Sequence, residues 1–223
     1  MAEANGCTIV GYRIENPPFH FRTAHHLDLY NIDFETVLQS PRTVLVLSNA
    51  SRDVRDRICS STAEFRGIRI LRDPRQVLVS NYFFHKEGHA IAHPSGWIWD
   101  QLEEDRPVLA KLPQEDGILY ELGSITRDIL TNQLVKWNHD GRIIEFKLEE
   151  FSRAAKTNLR FVAEHCGFRK VGNCRIKTTH ANPGSRHWKD CFTPRITRAF
   201  KERYGQLLID LGYEEDMGWQ AGP

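Results

Sequence analysis

Hydrophobic positions along this chain follow two rhythms. Short runs rich in β-branched residues predict strands at Cys7–Tyr12, Thr43–Leu47, Gly67–Leu71 and Arg142–Leu148. Thr43–Leu47 is unbroken by polar side chains beyond its threonine, which marks it as the buried-strand candidate. Helical spacing predicts Arg52–Ile58 and a helix from Pro74 that buries Leu78, Val79, Tyr82 and Phe83. Further on it predicts Trp97–Leu112, using Ile98, Leu102 and Leu109, and Glu115–Trp137, using Ile118, Leu119, Leu122, Ile125, Ile129 and Leu130. Pro113 separates those two. Two more helices, Ser152–Cys166 and Pro194–Leu211, each end at a glycine, Gly167 and Gly212. Strands alternating with helices predict an α/β chain: a parallel sheet of about four strands flanked by helices. No repeat or linker marks a second domain, so residues 1–223 are read as one.

Composition narrows the partners. The net charge is +1 with acidic and basic residues intermixed, which argues against nucleic acid or a membrane surface bound through bulk charge. Any anion site must be local. Five cysteines (Cys7, Cys59, Cys166, Cys174 and Cys191) form no C-x-x-C pair, which predicts reduced thiols in a cytoplasmic compartment. No apolar run reaches the roughly 20 residues of a membrane helix, and no signal peptide is visible.

The chemistry gathers at Arg72-Asp-Pro-Arg-Gln-Val-Leu-Val-Ser80. A strand delivers Arg72, Asp73 is placed to cap the next helix, and Pro74 suits its first turn. Ser80 follows about two turns along. A guanidinium and a hydroxyl at a strand-to-helix junction suit a phosphate. A second such junction, with Ser48 and Ser51 ahead of Arg52–Ile58, is either another phosphate site or an ordinary capped helix. His85, His89 and His93 recur every four residues, which on a helix would line one face and permit a metal site.

The segment Arg72–Ser80 resembles the 3'-phosphate-binding segment of sulfotransferases that use 3'-phosphoadenosine 5'-phosphosulfate (PAPS). Asn182-Pro-Gly-Ser-Arg-His-Trp-Lys-Asp-Cys-Phe-Thr193 resembles that family's late segment R-K-G-x-x-G-x-W-K-x-x-F-T, matching at Trp188, Lys189, Phe192 and Thr193. The resemblance covers Phe65 to Tyr213. It implies a P-loop-containing, nucleoside-triphosphate-hydrolase-like fold and a bacterial, soluble sulfotransferase. PAPS would be the co-substrate and no metal would be required. The acceptor would be a hydroxyl or amine of a small molecule or carbohydrate. It assigns Arg72 and Ser80 to the 3'-phosphate, with Arg186 standing in for the missing R-K-G. Where the family carries a P-K-S-G-T-T turn, this chain has Arg13-Ile-Glu-Asn-Pro-Pro-Phe-His-Phe21. Its prolines remove amide donors and Glu15 adds the wrong charge. The resemblance thus implies an enzyme with that function moved to Ser48–Arg52, or a catalytically degenerate relative that binds a nucleotide or a partner. A histidine-rich metal-binding protein is the other class kept open. Candidate general bases are His85, His25 and Glu121. Thr23-Ala-His-His26 is similar to a family histidine segment or else an ordinary solvated loop, and Glu121 either faces the acceptor or is a solvated helix acid.

Overall fold

A computed structural model of the chain describes residues 1–2, 5–10, 34–47, 50–91, 99–137, 141–170 and 186–221. In order the elements are β1 (Thr8–Val10), α1 (Phe34–Gln39), β2 (Thr43–Leu45), α2 (Arg52–Ser60) and β3 (Gly67–Leu71). Next come α3 (Pro74–Phe83), which runs into a π turn at Phe84–Gly88, then α4 (Asp100–Lys111) and α5 (Gln114–Gly123). After α6 (Ile125–Asp128) a second π turn spans Ile129–Gln133, followed by β4 (Ile143–Lys147), α7 (Leu148–Arg153) and α8 (Ala155–His165). The chain closes with α9 (Trp188–Cys191) and α10 (Pro194–Asp210).

The class is mixed α/β with parallel strand pairing. β1 pairs with β2 in the register Thr8↔Thr43, and β3 with β4 from Gly67↔Ile143 to Leu71↔Lys147. The expectation of one sheet of about four strands is corrected, because the described strands form two separate pairs. Thr43–Leu45 is only half-buried throughout, so its unbroken hydrophobicity does not mark a strand covered on both faces. The chain packs as two compact units interleaved in sequence. Met1–Leu71 and Trp137–Lys177 make the first; Arg72–Lys136 and Thr178–Pro223 make the second.

In the first unit, cross-strand chemistry fixes the β3–β4 register. Arg69 faces Glu145 and bonds it at 2.6 Å, and its guanidinium lies 4.8 Å from the centre of the Trp137 ring. The next turn is held by Arg142. Its guanidinium donates to the carbonyls of Cys59 (3.0 Å), Ser61 (2.7 Å) and Ala63 (3.1 Å), where the end of α2 leaves acceptors without helical partners. Ile68 and Ile70, expected as the apolar content of β3, are 41% and 50% exposed, while Leu71 is buried.

The second unit is helical around Leu78, Val79, Tyr82, Ile118, Leu122, Phe200 and Leu208. Gly117 lets α3 and α5 approach closely, since a Cβ there would meet the Tyr82 ring at 2.5 Å. The helix expected over Glu115–Trp137 breaks at Ser124, whose backbone (φ −107°, ψ −125°) is not helical. The reason is polar: the Ser124 hydroxyl donates to buried Asp105, and the amide of Thr126 turns to the Glu121 carboxylate at 3.2 Å. α10 begins as its sequence dictates, with Thr193 accepting from the Ile196 amide at 3.3 Å and Pro194 in the first turn. No helix among the described residues is long and apolar enough to cross a membrane.

Candidate functional site

The second unit begins at Arg72, which is half-buried and directly precedes the cap of α3. Asp73 accepts the Arg75 amide at 2.9 Å, its carbonyl accepts the Val77 amide at 2.9 Å, and Pro74 has no amide to offer. Two amides of the first helical turn are therefore committed to Asp73. The second guanidinium of the motif has a different role. Arg75 is 3% exposed, forked onto Asp73 (Nε–Oδ1 3.0 Å, Nη2–Oδ2 2.8 Å) and paired with Glu214 through Nη1. Its plane lies 3.9 Å from the centre of the Trp188 ring and 4.7 Å from that of Trp219.

Trp188 comes from the late segment, so this stack joins the two stretches that the sequence set apart. Gln76 completes the joint: its Nε2 donates to the Arg186 carbonyl at 3.1 Å and its Oε1 accepts the Trp188 amide at 3.0 Å. Gln76, Ser80 and Phe83 share one face of α3 by their spacing. The Arg186 guanidinium sits 5.5 Å from the Phe83 ring centre and donates to Gln114 Oε1 at 2.8 Å. Ser80 and Arg186, both assigned to the phosphate by resemblance, thus lie along one side of α3. The Ser80 side chain makes no hydrogen bond among the described residues.

Two of the three candidate bases meet. His85 is 3% exposed and Glu121 is 0% exposed, with His85 Nδ1 at 3.0 Å from Glu121 Oε1. The solvated reading of Glu121 is corrected: Ile118, Glu121 and Leu122 fall on the face of α5 that packs inward. Glu121 Oε1 also accepts the Thr126 hydroxyl at 2.6 Å, and Asn81 Nδ2 donates to that hydroxyl at 3.0 Å. Among the described residues Glu121 Oε2 has no hydrogen-bond partner. The backbone carrying His85 is held by Arg106, whose Nε donates to the His85 carbonyl at 2.8 Å and whose Nη2 donates to the His89 carbonyl. The His89 ring lies 5.9 Å from His85 and 4.9 Å from Trp99. Burial pushes the His89 imidazole below its ordinary value, helped by Arg106 and His85 nearby and opposed by the Ala90 carbonyl.

The remaining candidates are placed elsewhere. Ser51 belongs to the first unit and caps α2, its hydroxyl accepting from the Val54 amide at 3.5 Å. His25, Ser48 and His93 lie outside the described residues, as does Arg13–Phe21. Among the described residues no group of three side chains could hold a metal ion.

Sequence reasoning missed Arg75, Asp105, Thr126 and Asn81. Asp105 is 2% exposed and accepts from Gln101 (2.9 Å), Tyr120 (2.8 Å) and Ser124. A usable signal existed for it. Leu102, Asp105 and Leu109 share a helical stripe, so a carboxylate there had to be inside and had to be bonded. No family model, curated protein or solved structure matches the chain.

Proposed function

We propose that the second unit carries the nucleotide end of a PAPS-dependent sulfotransferase site. In this reading Arg72, Ser80 and Arg186 hold the 3'-phosphate. The proposed fold is the P-loop-containing, nucleoside-triphosphate-hydrolase-like one that sulfotransferases use, of which parallel strand pairing and strand–loop–helix order are the coarse features present here. One observation carries the reading. The Arg72–Ser80 segment and the Trp188–Thr193 segment are joined by Gln76 and the Arg75–Trp188 stack, and this sets Arg186 beside the face that presents Ser80. Neither bond is needed to fold a strand-to-helix turn.

The proposed reaction balances without a metal. His85 Nε2 takes the proton of an acceptor hydroxyl or amine, whose lone pair forms a bond to the sulfur of PAPS. The bond between sulfur and the bridging phosphate oxygen breaks in line, and its electron pair leaves on 3',5'-adenosine bisphosphate. Charge building on the leaving 5'-phosphate calls for cationic side chains there. A second reading, binding without transfer, is favoured by one feature: Glu15, Pro17 and Pro18 stand where the sulfate end would need amide donors and a lysine.

Calorimetry with 3',5'-adenosine bisphosphate tests the shared premise. Wild-type protein should bind it, and Arg72→Ala should weaken binding by about 10- to 100-fold, the usual loss for a charge-assisted bond to a phosphate. Absence of heat with wild type overturns both readings. Radiolabelled PAPS offered with 4-nitrophenol and glucosamine then separates them, since transfer supports the enzyme and binding without transfer supports the second reading.

A further inference from the structure

We infer that Glu121 is a positioning residue for His85, fixing the ring with its proton on Nδ1 so that Nε2 keeps the lone pair. This deepens the proposal that His85 is the base, and it rests on that reading. The tautomer follows from counting donors. Thr126 Oγ1 accepts from Asn81 Nδ2, so its own hydrogen goes to Glu121 Oε1, which also accepts the Thr126 amide. An oxygen already receiving two donors is an acceptor toward His85 as well, and the ring nitrogen 3.0 Å away must therefore bring the hydrogen. The conclusion is the same if the carboxyl is neutral. Oε1 has its acceptor sites filled, so the acid proton would sit on Oε2, the oxygen without a partner. In both states His85 donates through Nδ1. Among the described residues nothing hydrogen-bonds Nε2.

The surroundings hold the ring in place. His85 rides on the π turn Phe84–Gly88, a geometry frequent at functional sites, and Arg106 secures its carbonyl. Trp99 and His89 wall the imidazole at ring distances of 5.4 and 5.9 Å. Asn81 adjoins Ser80 on α3, so the chain Asn81–Thr126–Glu121–His85 ties the base to the helix that presents the phosphate-binding hydroxyl. A carboxylate bonded to one ring nitrogen fixes both the tautomer and the orientation of the ring.

Nitrogen-detected proton correlation spectra of the wild-type ring, assigned by loss of the signal in His85→Gln, read the tautomer without any substrate. The neutral ring should carry its proton on Nδ1; a ring protonated on Nε2 overturns the inference whatever the activity. The second readout is transfer from radiolabelled PAPS. Glu121→Gln should lower kcat about 10- to 100-fold, the range known for carboxylates that orient metal-bound histidines, with the affinity for 3',5'-adenosine bisphosphate unchanged. The double variant with His85→Ala should be no slower than His85→Ala alone, because the two act as one unit. Unchanged kcat in a folded Glu121→Gln protein overturns the inference and leaves the sulfotransferase reading standing. Failure of wild type to bind the bisphosphate removes that reading and the base role with it. Should Glu121→Gln fail to fold, the wild-type spectrum still decides.

Discussion

Two of the buried ionisable clusters in the second unit are finished differently. Around Arg75 the charge is closed. Both Asp73 oxygens, Glu214 and two tryptophan faces surround one guanidinium, and the atom there without a partner is the neutral Trp219 Nε1. Around His85 the charge is left open, because Glu121 crowds His85 and Thr126 onto one oxygen while the other has no partner. Folding alone selects the first arrangement, since an unmatched buried polar atom costs about 1–3 kcal/mol. The comparison therefore assigns Arg75 to structure.

The largest effect should come from breaking the closed cluster. Arg75→Ala strands Asp73 and Glu214 and empties the space between two indoles, which should lower unfolding free energy by about 3–5 kcal/mol in urea melts. A loss below about 1 kcal/mol would mean the stack is peripheral. The open cluster should respond in the opposite sense. Glu121→Gln keeps an acceptor for Thr126 and removes a poorly matched buried carboxyl, so the unfolding free energy in urea melts should hold or rise by up to about 1 kcal/mol. A fall comparable to that of Arg75→Ala would place Glu121 with the structural group and erase the distinction.

The open cluster was half legible in the sequence, and the reason is geometric. Leu78, Tyr82 and His85 follow helical spacing, as do Ile118, Glu121 and Leu122, and Leu102, Asp105 and Leu109. Each polar residue sits in an apolar stripe, and stripe membership alone says that it is buried. What it meets is decided by how α3, α4 and α5 cross, which no local pattern records. The strand at Gly67–Leu71 and the cap at Asp73 were legible to the residue because their signals are local. The break at Ser124 was not, because Asp105 and Glu121 cause it and neither adjoins it in sequence. Ile68 and Ile70 mislead for the same reason: alternation finds a strand, and only tertiary packing says which face is covered.

The smallest expected effect lies at the outer wall of the open cluster. His89 is packed edge-on against Phe84 and Trp99 at 4.6 and 4.9 Å, and its Nδ1 lies 2.9 Å from the Ala90 carbonyl. Burial, together with His85 and Arg106 close by, holds its folded pKa below the ordinary 6.5. Between the folded and unfolded values the unfolded chain carries a proton that the folded one refuses, so stability in that window rises with pH. His89 thus contributes stability that is complete above about pH 6.5 and is lost progressively as pH falls toward the folded value. Urea midpoints for wild type should be level from about pH 8 to 7 and decline below about 6.5. His89→Phe, which keeps the ring contacts and removes the titrating nitrogen, should flatten part of that decline. An undiminished slope in His89→Phe would assign the acid sensitivity to other groups, and the wall of the open cluster would then be no more than aromatic packing.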